Sequence, residues 1–281
     1  MRPGIEERLL AGVGALGSVA VAFSGGVDSA LVLAAAVRAL PAGRVLAAIA
    51  DSPSLARAEL RTAREVAEGL GVELAEVGVA ELAVPGYRAN AGERCYFCKQ
   101  TVLTAIGGLA HRRGLAHVAT GTHADDHRAL HRPGLRAARE LRVAEPLAEA
   151  GLGKDDVRAL AAAWALPVAD KPSAPCLASR IPVGVPVSAG RLGLVERAEI
   201  AVGARLAGAG IRARDLRVRL LGAGFRVEVD ARACAAVEAQ PGLTAAVLAE
   251  LGGLGLAGPG VVSVYRAPAL APPSGSHAGY S

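Results

Sequence analysis

The segment Ser18-Val-Ala-Val-Ala-Phe23, followed at once by Ser24-Gly25-Gly26-Val27-Asp28-Ser29, decides the fold of this chain. Its first part is a short apolar run that predicts a buried strand, and the apolar stretch from Ala30 to Leu40 predicts a helix. Between them, the two glycines permit a tight turn and a close approach of the backbone to an anion. The N-terminus of the helix adds free N–H groups and the positive end of its dipole. Together these features predict a phosphate-binding loop.

The side chains of this loop suit the phosphates of a nucleotide. Ser24 and Ser29 supply hydroxyl donors, and Asp28 supplies a carboxylate for Mg²⁺ beside a pyrophosphate. The loop is not a Walker A sequence, which needs Gly-Lys-Ser/Thr, and it is not the dinucleotide pattern GxGxxG. The alternative is a glycine-rich turn that merely caps a helix.

Strands and helices alternate through the first two-thirds of the chain. Three further strands are predicted at 44–50, 72–79 and 117–120, with helices at 54–70 and 98–112. Strands that take turns with helices pair in parallel. The sequence therefore predicts an α/β fold with a doubly wound parallel sheet.

The pattern changes after Pro172-Ser173-Ala174-Pro175, where two prolines stop any helix. A helix is predicted at 191–206, and a β-hairpin at 215–221 and 225–230. We therefore expect three parts: a nucleotide-binding domain at 1–180, a smaller C-terminal α+β domain at 181–266, and a flexible tail at 267–281.

Composition limits the classes of partner. The chain has 281 residues, 52% of them hydrophobic and 3% aromatic, with a net charge of +5. Only Lys99, Lys154 and Lys171 of its 31 basic residues are lysines, an excess of arginine that is typical of genome-wide codon bias. Because there is no long basic run and few aromatic side chains could stack on bases, we do not expect a nucleic-acid partner, and the charge suits an anionic small molecule. We expect a soluble, cytoplasmic protein, because no apolar run could span a membrane and no signal peptide is visible.

The four cysteines of the chain are candidates for a redox or metal site. Cys95 and Cys98 form a CxxC pair, Cys176 is distant, and Cys234 lies in an apolar helical stretch typical of a core residue. The CxxC pair alone is compatible with a redox pair, half of a zinc site, or chance. A tetrahedral zinc site lacks a fourth ligand, because there is no second CxxC and no histidine near Cys176.

Further segments narrow the range of protein families that this chain resembles. They are Ala50-Asp51-Ser52-Pro53-Ser54-Leu55, Arg94-Cys95-Tyr96-Phe97-Cys98-Lys99, Gly121-Thr122-His123-Ala124-Asp125-Asp126, Arg132 to Glu140, and Asp170 to Pro182 with its Pro-Cys-Leu-Ala-Ser-Arg core. With the phosphate loop, they resemble the LarE family of PP-loop ATP pyrophosphatases, which have a HUP-like fold. Members of this family are ATP-dependent sulfur transferases that help to build the nickel-pincer nucleotide.

The resemblance implies the substrates and the ATP site. ATP adenylates a carboxylate of a pyridinium dicarboxylate mononucleotide, and sulfur then converts it to a thiocarboxylate. ATP and Mg²⁺ would be bound by Ser24, Gly25, Gly26, Val27, Asp28, Ser29, Asp51, Gly121 and Thr122. The expected partners are this small molecule, nickel-cofactor assembly proteins, and further copies of the chain in a homo-oligomer.

The resemblance also implies two sources of sulfur. In one version, Cys176 gives up its own sulfur and becomes dehydroalanine. In the other, Cys95, Cys98 and Cys176 hold a [4Fe–4S] cluster whose open iron carries the sulfur; a persulfide or redox relay is a third possibility. Asp28, Cys176 and Arg180 are the predicted catalytic residues, with Arg180 or Arg94 lowering the pKa of a cysteine.

In the C-terminal domain, the family binds phosphate and metal through residues that correspond to Glu199, Arg217, Arg219 and Glu228. Arg217 and Arg219 alternate on one strand, which puts both guanidinium groups on one face. The alternative is a solvated outer face. The stretch Val261 to Arg266 departs from the family's C-terminal pattern, because an acidic residue is missing.

Two other functions remain open at this point. A PP-loop tRNA thiolase shares the loop and a CxxC, but calls for an RNA-binding surface. A catalytically silent nucleotide-binding homologue would retain the fold without the chemistry.

Overall fold

The computed structural model describes residues 4–128 and 133–266. The predicted flexible tail at 267–281 lies outside the described residues. Within the described ranges, no helix is both long and apolar enough to cross a membrane.

The first sheet has four parallel strands. They are β1 (Val19–Ala22), β2 (Val45–Asp51), β3 (Leu74–Gly78) and β4 (His117–Ala119), in the order β3-β2-β1-β4. Val21 lies opposite Ala47 of β2 and Ala119 of β4. The carboxyl ends of the strands therefore meet at one edge, where the phosphate loop leaves β1.

Helices cover both faces of this sheet. They are α1 (Ile5–Gly14), α2 (Val27–Ala39), α3 (Arg57–Gly69), α4 (Pro85–Ala89), α5 (Arg94–Arg112), α6 (Ala124–Arg128), α7 (Pro133–Glu140), α8 (Pro146–Glu149) and α9 (Lys154–Ala163), with 3₁₀ turns at Glu81–Ala83 and Leu177–Arg180. Val19 and Val21 pack into the core shared with α1, α2, α3 and α9. Ala20 points the other way and packs with Ile106 of α5. This alternation, with period two, confirms the predicted doubly wound α/β fold.

A second, smaller sheet follows. Its elements are α10 (Ala189–Gly208), β5 (Leu216–Leu221), β6 (Gly224–Val229), α11 (Ala231–Glu238), α12 (Leu243–Gly253) and β7 (Gly260–Val264). The strand order is β5-β6-β7, antiparallel between β5 and β6 and parallel between β6 and β7. Val218, Val227, Leu251 and the buried Cys234 share a core of their own. The α+β character is therefore confirmed, whereas the boundary at residue 180 stays a prediction.

Some elements differ from those predicted. The helix expected from Cys98 begins at Arg94, so the CxxC pair lies within its first turns. Several helices have no counterpart among the predicted elements, and α1 and α12 are two of the longer ones. Each begins after a glycine in the left-handed region, Gly4 or Gly242, without a side-chain cap. Because α12 is apolar almost throughout, it also lacks the periodicity that predicts an amphipathic helix.

Candidate active site

The phosphate loop is held in shape by its own hydroxyl groups. The Ser24 N–H donates to Ser29 Oγ at 3.2 Å, and the two hydroxyl oxygens lie 3.1 Å apart. Gly25 has a φ of +71°, and a Cβ there would lie 3.3 Å from the backbone of α3. Glycine is therefore needed at this turn both for its backbone conformation and for its size.

The end of β4 packs directly against this loop. A Cβ on Gly121 would lie 2.6 Å from the Ser29 nitrogen and 2.8 Å from the Asp28 carbonyl carbon. The next residue, Thr122, is buried, and its hydroxyl lies 3.0 Å from that of Thr120. A residue with a side chain at position 121 would push the loop out of place.

One cavity of about 460 Å³ brings the phosphate loop and three cysteines together. We call it the cysteine cavity. The loop side consists of Ser24, Asp28, Ser29, Gly121 and Thr122, and the opposite side includes Tyr87, Arg94, Cys95, Cys98, Lys99 and Cys176. The predicted nucleotide and sulfur residues thus line the same space.

Cys98 is engaged with a buried carboxylate that the sequence analysis did not single out. Its Sγ donates to Glu81 Oε1 at 2.8 Å, and Glu81 is only 3% exposed. Burial, followed by the negative charge of Glu81, raises the pKa of the Cys98 thiol well above its usual value. Cys98 is therefore held as a neutral thiol.

Cys176 lies within reach of solvent, but protein atoms crowd its thiol. This partial desolvation raises the pKa of Cys176, while the nearby Arg94 guanidinium acts in the opposite direction. Arg94 Nη1 donates to Asn90 Oδ1 and to the Ala178 carbonyl, at 2.8 Å each. Arg94 is thus fixed beside the cysteine by Asn90, which follows α4, and by the 3₁₀ turn that follows Cys176.

Arg180 lies behind Cys176 and does not line the cysteine cavity. Its Nε and Nη2 donate to the carboxylate of Glu199 at 2.8 and 3.2 Å. Its Nη1 donates to the carbonyls of Pro175 and Cys176. Arg180 therefore orients the backbone of Cys176. The predicted lowering of the Cys176 pKa is not seen, because burial outweighs the opposing charge of Arg94.

The other residues predicted in the C-terminal domain surround residues 173–179, which we call the Cys176 segment. Arg217 Nη2 donates to the Ser173 carbonyl at 2.9 Å, and Arg219 Nη1 donates to the Ser179 carbonyl at 3.0 Å. Arg219 also pairs with Glu228 at 2.7 Å. Arg217 is buried over the ring of Tyr265, and its Nη1 has no hydrogen-bond partner within the described ranges. Binding of a phosphate by these residues stays a prediction.

Asp51 is at the carboxyl end of β2, as expected, but it pairs with Arg57 at 2.7 Å. It does not line the cysteine cavity. Its contact with ATP stays a prediction. For this contact, Asp51 would have to leave Arg57 or to reach the nucleotide while it is still paired with Arg57.

A smaller cavity of about 160 Å³ adjoins the other side of the phosphate loop. It is lined by Lys154, Arg158 and Lys171, and we call it the lysine cavity. All three lysines of the chain therefore line one cavity or the other, since Lys99 lines the first. Their scarcity among 31 basic residues was the sequence signal that could have identified them.

A third cavity, of about 320 Å³, lies at the opposite edge of the sheet and contains no motif residue.

Within residues 4–128 and 133–266, no three His, Cys, Asp or Glu side chains are grouped to hold a metal ion. The single carboxylate of Asp28 fits Mg²⁺, which is commonly bound by one or two carboxylates together with substrate phosphates. The three cysteines are ligands of the kind that an iron–sulfur cluster requires. In this structure Cys98 donates to Glu81, so the three cysteines could hold a cluster only after this hydrogen bond breaks.

Comparison with known proteins identifies relatives. The NAD synthase family model matches residues 7–94. A pyridinium-3,5-bisthiocarboxylic acid mononucleotide synthase from Lactiplantibacillus plantarum is 32% identical over 194 residues, which cover 69% of this chain and 70% of that protein. Uncharacterized proteins of Synechocystis sp. and Methanocaldococcus jannaschii are 41% and 27% identical, over 69% and 71% of this chain and 72% and 74% of those proteins.

The identity to the synthase extends over more than two-thirds of both chains, and the parallel sheet presents its phosphate loop and Cys176 to one cavity. This chain belongs to the LarE family of PP-loop ATP pyrophosphatases.

Proposed function

We propose that this protein is an ATP-dependent sulfur transferase that converts a carboxylate of a pyridinium dicarboxylate mononucleotide into a thiocarboxylate for nickel-pincer cofactor synthesis. The observation that carries the proposal is the cysteine cavity, in which the phosphate loop faces Cys176 across about 460 Å³. The choice of substrate is supported by the relative that is named as a pyridinium-3,5-bisthiocarboxylic acid mononucleotide synthase.

The first step is adenylation. A carboxylate oxygen of the substrate attacks the α-phosphorus of ATP, the bond to the bridging oxygen breaks, and pyrophosphate leaves. The N-terminus of α2 and the hydroxyls of Ser24 and Ser29 are placed to stabilise the negative charge on the phosphates. The product is an acyl-adenylate, whose carbonyl carbon is open to a nucleophile.

The second step transfers sulfur. The thiolate of Cys176 attacks the acyl carbon and expels AMP, which leaves a thioester. Loss of the Cys176 α-proton with cleavage of its Cβ–Sγ bond then releases the thiocarboxylate and leaves dehydroalanine in the chain. Arg94 favours the thiolate form of Cys176, and Arg180 holds the backbone on which this thiol is mounted.

Cys95 and Cys98 offer a different source of sulfur that would spare Cys176. In that version the three cysteines hold transferable sulfur, either on a cluster or as a persulfide, and Cys98 must first leave Glu81. No step of the mechanism above depends on a cluster. Loss of Cys95 and Cys98 would abolish turnover in this version and would be tolerated if Cys176 is the donor.

The test is the intact mass of anaerobically prepared protein before and after turnover with ATP, Mg²⁺ and the dicarboxylate mononucleotide. If Cys176 is the donor, each chain loses the mass of one H₂S, and peptide mapping locates the loss at Cys176. Thiolated product with an unchanged protein mass would assign the sulfur to another source.

Two variants serve as controls. Cys176→Ala should abolish the mass change, whereas Cys234→Ser should retain it, because Cys234 is buried in the core of the second sheet. AMP formation without thiolated product would reject the sulfur-transfer step. Absence of AMP, together with RNA binding at moderate salt, would instead favour the tRNA thiolase.

A further inference from the structure

The proposed substrate brings two negative charges into the cysteine cavity on one pyridinium ring. Only one of its carboxylates is adenylated and becomes the uncharged acyl group of the acyl-adenylate. The other carboxylate keeps its full charge while the ring lies in the cavity. Because an ion that leaves water needs a counter-ion, we expect a cation in the cavity that pairs with this second carboxylate.

Two cations line the cysteine cavity in the described part of the chain, Arg94 and Lys99. Arg94 is tied to the protein, because its Nη1 donates to Asn90 Oδ1 and to the Ala178 carbonyl at 2.8 Å each. The ammonium group of Lys99, by contrast, forms no hydrogen bond and no ion pair within residues 4–128 and 133–266. All three of its N–H donors are therefore available to a ligand.

Two carboxylates lie near Lys99 but are bound to other groups. Those of Asp126 and Glu145 act on its charge without forming a hydrogen bond or an ion pair with it. Asp126 Oδ2 accepts from the His123 N–H at 3.1 Å, and Glu145 Oε2 lies 2.7 Å from His127 Nε2. Neither acid therefore serves as a direct partner of the ammonium group.

Helix α5 fixes the position of Lys99 relative to the cysteines. Cys95 and Lys99 are four positions apart on this helix, so they lie on one face, about 6 Å apart along the axis. The stem of Lys99 is close to α7, since a Cβ added at Gly134 would lie 3.7 Å from Lys99 Cβ. A carboxylate held by Lys99 would therefore lie beside the cysteines. The rigid pyridinium ring would then keep the other carboxylate at a fixed distance from it.

We propose that Lys99 is a specificity-determining residue that pairs with the carboxylate of the substrate that is not being activated. The proposal rests on the proposed sulfur-transfer function and identifies how its substrate is recognised. The ion pair orients the ring so that the other carboxylate faces the phosphate loop, and it selects dicarboxylates over monocarboxylates. After adenylation, the same ion pair retains the acyl group in the cavity that Cys176 lines.

The experiment measures pyrophosphate release with two substrates, in the presence of ATP and Mg²⁺. One is the dicarboxylate mononucleotide, and the other is pyridinium-3-carboxylic acid mononucleotide, which lacks the second carboxylate. Lys99→Met keeps an unbranched side chain but removes the charge. It should lower kcat/KM for the dicarboxylate ~10-fold or more, because a charge-assisted hydrogen bond is lost. The value for the monocarboxylate should change by less than about twofold, which also shows that the variant is folded.

Two further variants and a binding measurement complete the test. Arg112→Met is the matched control, because Arg112 is an exposed cation on the same helix and does not line the cavity. It should leave both values unchanged. Lys99→Arg retains the charge and should restore most of the preference for the dicarboxylate. Calorimetric titration with the dicarboxylate alone measures the ion pair without turnover, and Lys99→Met should weaken this binding ~10-fold or more.

An equal loss of kcat/KM for both substrates would overturn the proposal, as would unchanged affinity of Lys99→Met for the dicarboxylate. Failure of the proposed function gives a different result. A wild-type protein that binds the dicarboxylate through Lys99 but yields no thiocarboxylate would contradict sulfur transfer and leave the ion pair intact. A protein that thiolates its substrate while Lys99→Met binds the dicarboxylate normally would contradict the ion pair alone.

Discussion

Two opposing effects act on the pKa of the Cys176 thiol. Crowding by protein atoms raises its pKa, and the charge of Arg94 lowers it. A raised pKa means that the reactive thiolate forms only at higher pH, and removal of Arg94 should move that midpoint higher still. We expect Arg94→Gln to slow alkylation of Cys176 by iodoacetamide below the midpoint, because the loss of the nearby positive charge raises the pKa of the thiol further and leaves a smaller fraction of it ionised.

The measurement is peptide mass spectrometry of metal-free protein, labelled across a pH series. Arg94→Lys keeps the charge and should restore most of the rate, and Arg88→Gln, at an exposed position on α4, should match the wild type. An identical pH profile in Arg94→Gln and the wild type would show that Arg94 does not act on the thiol.

Single residues differ in how far the sequence alone could identify them. The phosphate loop was predictable because its residues are contiguous, and Cys176 was found only through a family resemblance. Glu81 could not be found, because its contact with Cys98 joins two side chains 17 positions apart that share no pattern. Lys154 and Lys171 left a compositional signal, but codon bias explained it equally well until their positions were known.

At the level of elements, the start of α5 decides the geometry of the cysteines. Because the helix begins at Arg94, Cys95, Cys98 and Lys99 are spaced three and four positions apart on one face. The sequence offers no Ser, Thr, Asp or Asn cap before Arg94, and Cys, Tyr and Phe are only moderate helix formers. The period was therefore visible from Cys98 onward, but the first turn was not.

The contact between β4 and the phosphate loop also belongs to this scale. The Cβ added by Gly121→Ala would lie 2.6 Å from the Ser29 nitrogen, and backbone cannot swing away as a flexible side chain can. We expect this variant to be destabilised by about 1–3 kcal/mol and to bind ATP ~10-fold or more weakly, because the loop must shift.

Thermal unfolding and calorimetric titration with ATP would measure both effects. Gly12→Ala is the matched control, because a Cβ at Gly12 of α1 meets nothing within 4 Å. It should stabilise the helix by about 0.5–1 kcal/mol and leave ATP binding unchanged. If Gly121→Ala behaved like Gly12→Ala, the close approach of β4 would have no consequence for the loop.

At the scale of the whole molecule, residues of the second sheet hold the segment that carries Cys176. Arg217 and Arg219 of β5 donate to carbonyls of the Cys176 segment. Arg180, the residue after this segment, pairs with Glu199 of α10. The sequence predicted both units, since their strand and helix patterns are local. It could not predict this attachment, because partners such as Arg217 and Ser173 lie 44 positions apart and carry no periodic signal.

The ion pair between Arg180 and Glu199 should therefore hold both the fold and the Cys176 segment. The side chains are only 7% and 16% exposed, and Glu199 also accepts the Val218 N–H at 2.9 Å. Glu199→Gln leaves Arg180 charged without its counter-ion, so we expect a loss of about 3 kcal/mol in the free energy of unfolding. The comparable surface pair, Arg205 with Glu250, is 46% and 33% exposed. Glu250→Gln should accordingly cost less than ~1 kcal/mol.

Urea unfolding measures both losses of stability. Limited proteolysis with mass spectrometry should show faster cleavage near residues 173–179 only in Glu199→Gln. Equal stability and equal cleavage in the two variants would mean that the second sheet does not hold the Cys176 segment through this pair.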